Sequence, residues 1–328
     1  DPDRDTVYLL DGDVIGLGEK PSYDGSIIVK NAVAAPAEPT PTPPVAEPGE
    51  TTDTGSGFEL KGDLTATADR AELPSFELTL HAKGRPQLMK GKLAIEFGET
   101  RKLDGELSAR FLDVDALLED AGEANASPSA VLNEVAEKLL TQSASIGEGS
   151  LLLAVEQANF GGDLVGELGL ALTASPNQVK IDRLTAKLPG ETRIETSGLL
   201  TRGDKGPVYA GPIKLEGSKL RTLARWASGD RDMSAQTSVG AFTLAANTTL
   251  GGGDLKLENA SGELSGTKFT GSFSYRGGDK PAIDVALDSD RLDLKEVLGE
   301  DVAWRSWLPV AGKKQDNPAV GEPSLIAS

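Results

Sequence analysis

Two acidic stretches hold the residue types with the most chemical potential. "DSDRLDLKEVLGED" (Asp288 to Asp301) carries six carboxylates in fourteen residues, and "FLDVDALLEDAGE" (Phe111 to Glu123) is a looser relative. Oxygen ligands at such density suggest a hard cation. The first stretch, however, lacks the central glycine and the distal bidentate glutamate of a calcium loop. "DVD" at Asp113 has the look of a two-aspartate metal signature, but the βα units of a nucleotide-binding domain do not accompany it. "GGGD" at Gly251 has no following Lys-Ser/Thr and reads as a hairpin turn. No GxSxG elbow occurs, cysteine is absent, and His81 is the single histidine. That inventory offers no nucleophile–base pair and no metal or cofactor set, so no catalytic residue, metal or cofactor is expected, and the chain reads as a non-enzyme.

The acids make better sense as helix caps. Leu107 to Leu112 is a five-residue step repeated at Leu215 to Leu220 and Leu287 to Leu292, each time where strand spacing gives way to helical spacing. Leu112, Asp113 and Leu118 match Leu292, Asp293 and Leu298, while the middle copy has Arg221 where the others have aspartate. A ligand or catalytic aspartate would not be expected to become arginine so freely. Asp293 can accept from the free N–H groups of the next turn, with Glu296 completing a capping box and Gly299 placed for a left-handed exit. Each repeat is thus expected to be several strands and one short helix. A further helix starts at "SPSAVLNEVAEKLLTQ": Ser127 caps it, Pro128 takes the first position, and Val131, Leu132, Val135 and Leu139 form an apolar stripe that should cover something apolar.

The elements around these helices are strands. Apolar residues alternate with polar ones at Phe58, Leu60, Leu64 and Ala66, at Phe76, Leu78, Leu80 and Ala82, and at Leu93, Ile95 and Phe97. The pattern returns at Leu164, Leu168, Leu170 and Leu172, then at Phe269, Phe273 and Tyr275, and at Ile283, Val285 and Leu287. Turn signals at Gly161, Ser175, Arg202, Gly251 and Arg276 separate the runs and favour antiparallel meanders. His81 falls on the polar side of its run. Asn125, Asn247 and Asn259 match the glycosylation sequon, of consequence only in a host that glycosylates secreted proteins.

The fold class is therefore mainly β, with repeated antiparallel meanders forming a long curled sheet or groove. So much apolar sheet exceeds what the few helices can cover. It either closes on itself as a sandwich or barrel, or curls into a trough that receives hydrocarbon. Aromatics are 5% of residues, so the lining is mainly aliphatic and suits acyl chains better than sugars or bases. The candidate lining is Leu64, Phe76, Leu78, Leu80, Leu93, Ile95 and Phe97, continuing through Leu168, Leu170, Phe269, Phe273, Tyr275, Val285 and Leu287. Net charge is −18 in 328 residues, which repels nucleic acid and anionic headgroups alike. No unbroken apolar run of membrane-spanning length occurs, and "DPDRDTVYLL" is not a signal peptide. With no Met at its start, the sequence reads as an internal piece of a longer chain.

The segments "IDRLTAKLPGETRIETSGLL", "LKLENASGELSGTKFTGSFSYRGGDKPAIDVALDSDRLDL" and "RLDLKEVLG" together resemble the AsmA family of bacterial envelope proteins, over most of residues 58–308. The resemblance implies a periplasmic β-rich body, anchored to the inner membrane in the full-length protein and similar to bridge-like lipid transfer proteins. It further implies phospholipid acyl chains as partners, other envelope proteins as further ones, and a part in outer-membrane assembly. Composition, spacing and the resemblance together give the expected division: a partial β segment at 1–33, a proline-rich disordered linker at 34–57 that breaks the family pattern, AsmA-like β repeats at 58–123, 148–230 and 231–309, an inserted helix at 124–147 and a flexible tail at 310–328. Trp304 and Trp307 would pack a terminal helix against the sheet. The alternative is a closed β scaffold of the envelope that binds no lipid.

Overall fold

The computed structural model describes residues 6–16, 21–31, 57–82, 85–118, 127–229, 240–278 and 280–289. Six strands come first: β1 (Thr6–Ile15), β2 (Ser22–Asn31), β3 (Gly57–Thr67), β4 (Arg70–Ala82), β5 (Arg85–Glu96) and β6 (Lys102–Asp113). Two helices follow, α1 (Val114–Leu118) and α2 (Pro128–Ile146). Then come β7 (Glu148–Phe160), β8 (Asp163–Ser175), β9 (Gln178–Leu188), β10 (Thr192–Gly203), β11 (Gly206–Gly217), α3 (Leu220–Ser228), β12 (Phe242–Gly251), β13 (Asp254–Leu264), β14 (Thr267–Arg276) and β15 (Ala282–Ser289). All fifteen strands belong to one sheet, in sequence order, curled and unclosed.

The expected turns at Gly161, Ser175, Arg202, Gly251 and Arg276 all join neighbouring antiparallel strands. One junction departs from the expected meander: β6 and β7 run parallel, Lys102 opposite Glu148 and Asp113 opposite Asn159. A parallel neighbour needs a crossover connection, and α1 and α2 supply it. The residues before the proline-rich run, expected as a partial β segment, pair into the main sheet. β1 and β2 pair over ten residues each and β2 pairs with β3, so this hairpin extends the main sheet. Residues 32–56, which take in nearly all of the expected linker, lie outside the described residues, as do Asp293, Trp304, Trp307 and the tail. Six strands precede α1, five lie between α2 and α3, and four follow; these counts do not establish a repeating unit.

α2 forms where the sequence places it. Ser127 Oγ accepts from the Ala130 N–H at 3.4 Å, and Pro128 occupies the first turn. Its Leu140 is 1% exposed against Leu172, Val179 and Leu200, flanked by Leu151, Leu170 and Tyr209. A second core at α1 joins Met89, Ala109, Leu112, Val155 and Ala158. A third brings Leu223 and Trp226 of α3 against Phe242, Leu264 and Phe269.

Candidate functional site

The acids of "DVD" are bound up in architecture. Asp113 Oδ1 accepts from the Ala116 N–H at 3.0 Å, which caps the short α1, and from Asn159 Nδ2 at 2.9 Å on β7. Asp115 accepts from the N–H groups of Gly161 and Gly162, both at 2.7 Å, and so holds the β7–β8 turn against the helix. Both glycines have positive φ, 61° and 78°, which places two amides on one side of the turn for a carboxylate to meet. Four donors around two carboxylates leave this pair built for structure. α3, the copy with Arg221, starts at Lys219 with no side-chain cap and ends on Gly229 in the left-handed region, φ 68°. Among the described residues, no three Asp, Glu, His or Cys side chains converge as metal ligands.

The apolar positions converge on one face. Cross-strand partners in a ladder share a face, so the register can be followed from edge to edge. Leu10 opposes Ile27, Val29 opposes Leu60, Leu60 opposes Leu78, and Leu78 opposes Met89. Beyond α1, Val155 opposes Leu168, Leu170 opposes Leu184, and Ile194 opposes Leu215. Leu215 opposes Leu244, and the line ends with Leu257 opposite Phe273 and Phe273 opposite Val285. Along this register charged residues occur only at strand ends, as Arg85, Asp163 and Arg202. The opposite face carries the ions. Lys30 with Glu59, Lys90 with Glu77 and Lys180 with Asp182 are examples, at 2.7, 2.7 and 2.6 Å.

Thirteen of the fourteen candidate lining residues fall on the uncharged face, and their exposure divides them. Val285 and Leu287 are 54% and 51% exposed, whereas Phe76 and Tyr275 are buried at 5%. Phe97 is the exception, since β5 ends at Glu96 and Phe97 stands at the rim, donating its N–H to the Asp69 carbonyl at 2.8 Å. Leu164, grouped by spacing with Leu168, Leu170 and Leu172, points the other way and is 55% exposed, while its neighbour Val165 is buried. The register shift between Gly166 and Gly169, with Glu167 at φ 48°, inverts the alternation there. Related shifts fall at Leu73/Phe76, Thr196/Gly198, Ala245/Asn247 and Leu257/Ala260, and such bulges bend a sheet.

One feature of the face escapes a count of apolar residues: several of its rings lie against glycines. A Cβ placed on Gly91 would meet the Phe76 ring at 3.0 Å, and one on Gly262 the Phe269 ring at 2.7 Å. Tyr209 lies over Gly198 and Gly211 in the same way. The legible signal is glycine recurring at inward positions beside strands that carry Phe or Tyr. Glycine gives each ring a floor, which leaves an even aliphatic surface. Tyr209 is anchored by donating to the Ser197 carbonyl at 2.8 Å, and burial raises its phenol pKa. On the outer face, lysines hold carboxylates below their usual range: Lys30 and Lys61 act on Glu59, and Lys180 with Thr173 on Asp182. A cavity of about 770 Å³ opens beside the bulges, lined largely by outer-register residues such as Leu88, Lys90, Arg110 and Glu156. Gln87, Ala109, Val155 and Leu168 of the inner register also line it.

No family model, curated protein or solved structure matches this chain.

The chemistry of the site is therefore that of a surface. A mostly aliphatic face, uncharged away from strand ends, runs over the fifteen strands of an unclosed sheet; α2 covers it at β7 to β11, and the remainder can exclude water from hydrocarbon. No helix among the described residues is long and apolar enough to cross a membrane.

Proposed function

We propose that this protein is a non-enzymatic member of the cell envelope that shields phospholipid acyl chains on the apolar face of its curled sheet and contributes to lipid transport and outer-membrane assembly. The observation that carries the reading is the uninterrupted inward register, from Leu10 to Val285, without a charge away from strand ends. Hydrocarbon suits such a face because it brings no polar group of its own to be buried against Leu and Val. An extended peptide lying there would leave backbone N–H and C=O groups facing Leu and Val. Each buried methylene contributes about 0.8 kcal/mol, so affinity grows with chain length and headgroups stay in water. The AsmA resemblance supports the same reading through its strand, turn and leucine-aspartate-leucine pattern, with a periplasmic body anchored to the inner membrane in the full-length protein.

The test is native mass spectrometry of protein purified from the envelope, together with uptake of a fluorescent palmitate analogue. Co-purifying lipid or saturable uptake supports the proposal. A lipid-free protein that takes up no probe overturns it. A second reading, a scaffold without lipid, draws on the dry core beneath α2, where Leu140, Val131 and Val179 are each 1% exposed. It predicts that dry packing continues along the whole face.

A further inference from the structure

The single parallel junction puts its crossover on the apolar face, and the consequence reaches beyond the fold. α2 contacts β7 through β11, and it also contacts both α1 and α3. The three helices form one block over the middle of the sheet. Trp226 Nε1 donates to the Phe160 carbonyl at 3.0 Å, tying α3 to the end of β7, and Arg202 pairs with Glu137 of α2 at 2.9 Å. Beneath the block the face is dry, with Val155 at 2% and Leu200 at 4% exposure. On either side the edge strands leave apolar side chains exposed. Leu10 and Val14 are 59% and 58% exposed on one flank, and Val285 and Leu287 are 54% and 51% exposed on the other.

Resting on the acyl-chain reading above, we infer that the helical block is a partition that divides the apolar face into two separate bays, each taking its own acyl chain. One bay is built on β1 to β5, the other on β12 to β15. A second observation belongs to each flank. Gln87 on β5 and Thr248 on β12 stand at inward positions, 5% and 6% exposed, and Gln87 Nε2 and Thr248 Oγ1 have no hydrogen-bond partner. Both are donors, and a buried donor without an acceptor is costly. The carbonyl oxygen of an ester or carboxyl group at the head of an acyl chain is an acceptor that suits either, so the ligand class is a fatty acid or its glycerol ester. Continuous passage of lipid from edge to edge would require the block to lift.

The experiment titrates the purified protein with a fluorescent palmitate analogue and counts bound molecules. Leu10→Glu and Leu287→Glu place one charge in each bay at positions exposed enough to keep it hydrated, and Val14→Glu and Val285→Glu form a second pair for the same purpose. Thermal melts check folding. The expected result is two probes per chain, one in either single variant and none in the double variant. A single bound probe, or loss of all binding in one single variant, indicates a continuous trough and overturns the partition while leaving the acyl-chain reading intact. Two probes that neither variant removes overturn the assignment of the bays. No binding by the unsubstituted protein removes the acyl-chain reading itself.

Discussion

Leu140→Ala tests whether α2 is seated in a dry core. Leu140 is 1% exposed and lies on Leu172, Val179 and Leu200, themselves 6%, 1% and 4% exposed. The substitution removes three carbons from this contact, about 2.4 kcal/mol of transfer free energy at 0.8 kcal/mol per methylene. The floor beneath it is hydrogen-bonded sheet, which cannot move up to fill the gap, so a cavity term of about 1 to 2 kcal/mol adds to this. The expected loss is about 4 kcal/mol, read from the midpoint of urea unfolding. Leu132→Ala, on the same helix but 46% exposed, serves as the control and should cost under about 1 kcal/mol. If the two variants unfold within about 1 kcal/mol of each other, α2 does not seal the middle of the face. The partition then loses its basis.

Three further expectations follow from named contacts. Asp113→Ala should cost about 0.5 to 2 kcal/mol by uncapping α1, and Asp115→Ala a similar amount by freeing the β7–β8 turn; neither should alter acyl-probe binding, and a loss of binding at full folding would reassign these acids to the ligand. Gly91→Val should destabilise by about 1 to 3 kcal/mol through overpacking, because its Cβ would meet the Phe76 ring at 3.0 Å and the Glu106 carbonyl at 2.3 Å; a neutral melt would show that the ring does not rest there. The carboxyls of Glu59 and Asp182 are held below their ordinary range by lysine neighbours, so their contribution is present above the unfolded pKa of about 4 and is lost as pH falls through the lower folded value. Urea midpoints measured from pH 6 to pH 3 should therefore decline below about pH 4; a rise would mean that relief of the −18 self-repulsion outweighs these pairs.

Much of the fold was legible because its period is local. Alternation at Phe58 to Ala66 and at Phe269 to Tyr275 marked strands and their inward face, and Gly-rich dipeptides marked the turns between them. The cap of α2 was equally plain, since Ser127 and Pro128 act on the residues next to them. The failures share one cause. Leu164 was misassigned because a bulge two residues on inverted the alternation, and nothing in "DLVGELGL" announces that Glu167 adopts positive φ. The hairpin of β1 and β2 was legible only as a partial β segment because "TVYLLDGDVI" alternates poorly, and pairing with β3 across residues 32–56 is not a local property. Gln87 is the extreme case. Its Oε1 accepts from the Asp113 N–H at 2.7 Å, a contact made across 26 residues.

The parallel junction lies furthest from the sequence and has the largest effect on how much of the apolar face stays open. Had β7 run antiparallel to β6, the chain could have turned back through a short loop, and the uncharged face would have continued over the middle strands without interruption. Because β7 runs parallel, the chain must return along the sheet before starting it, and the cheapest place for an amphipathic return helix is the apolar face. The same residues that make α2 a stable helix, Val131, Ala136, Leu139 and Leu140, are therefore those that dry the centre of the face. Asp113, which caps α1, and Asp115, which accepts from the Gly161 and Gly162 amides, hold the start of this return to β7 and to its turn. The carboxylates that suggested a metal site thus belong to the architecture of the crossover, and it is the block as a whole, seated through Leu140, that decides how much of the apolar face remains open.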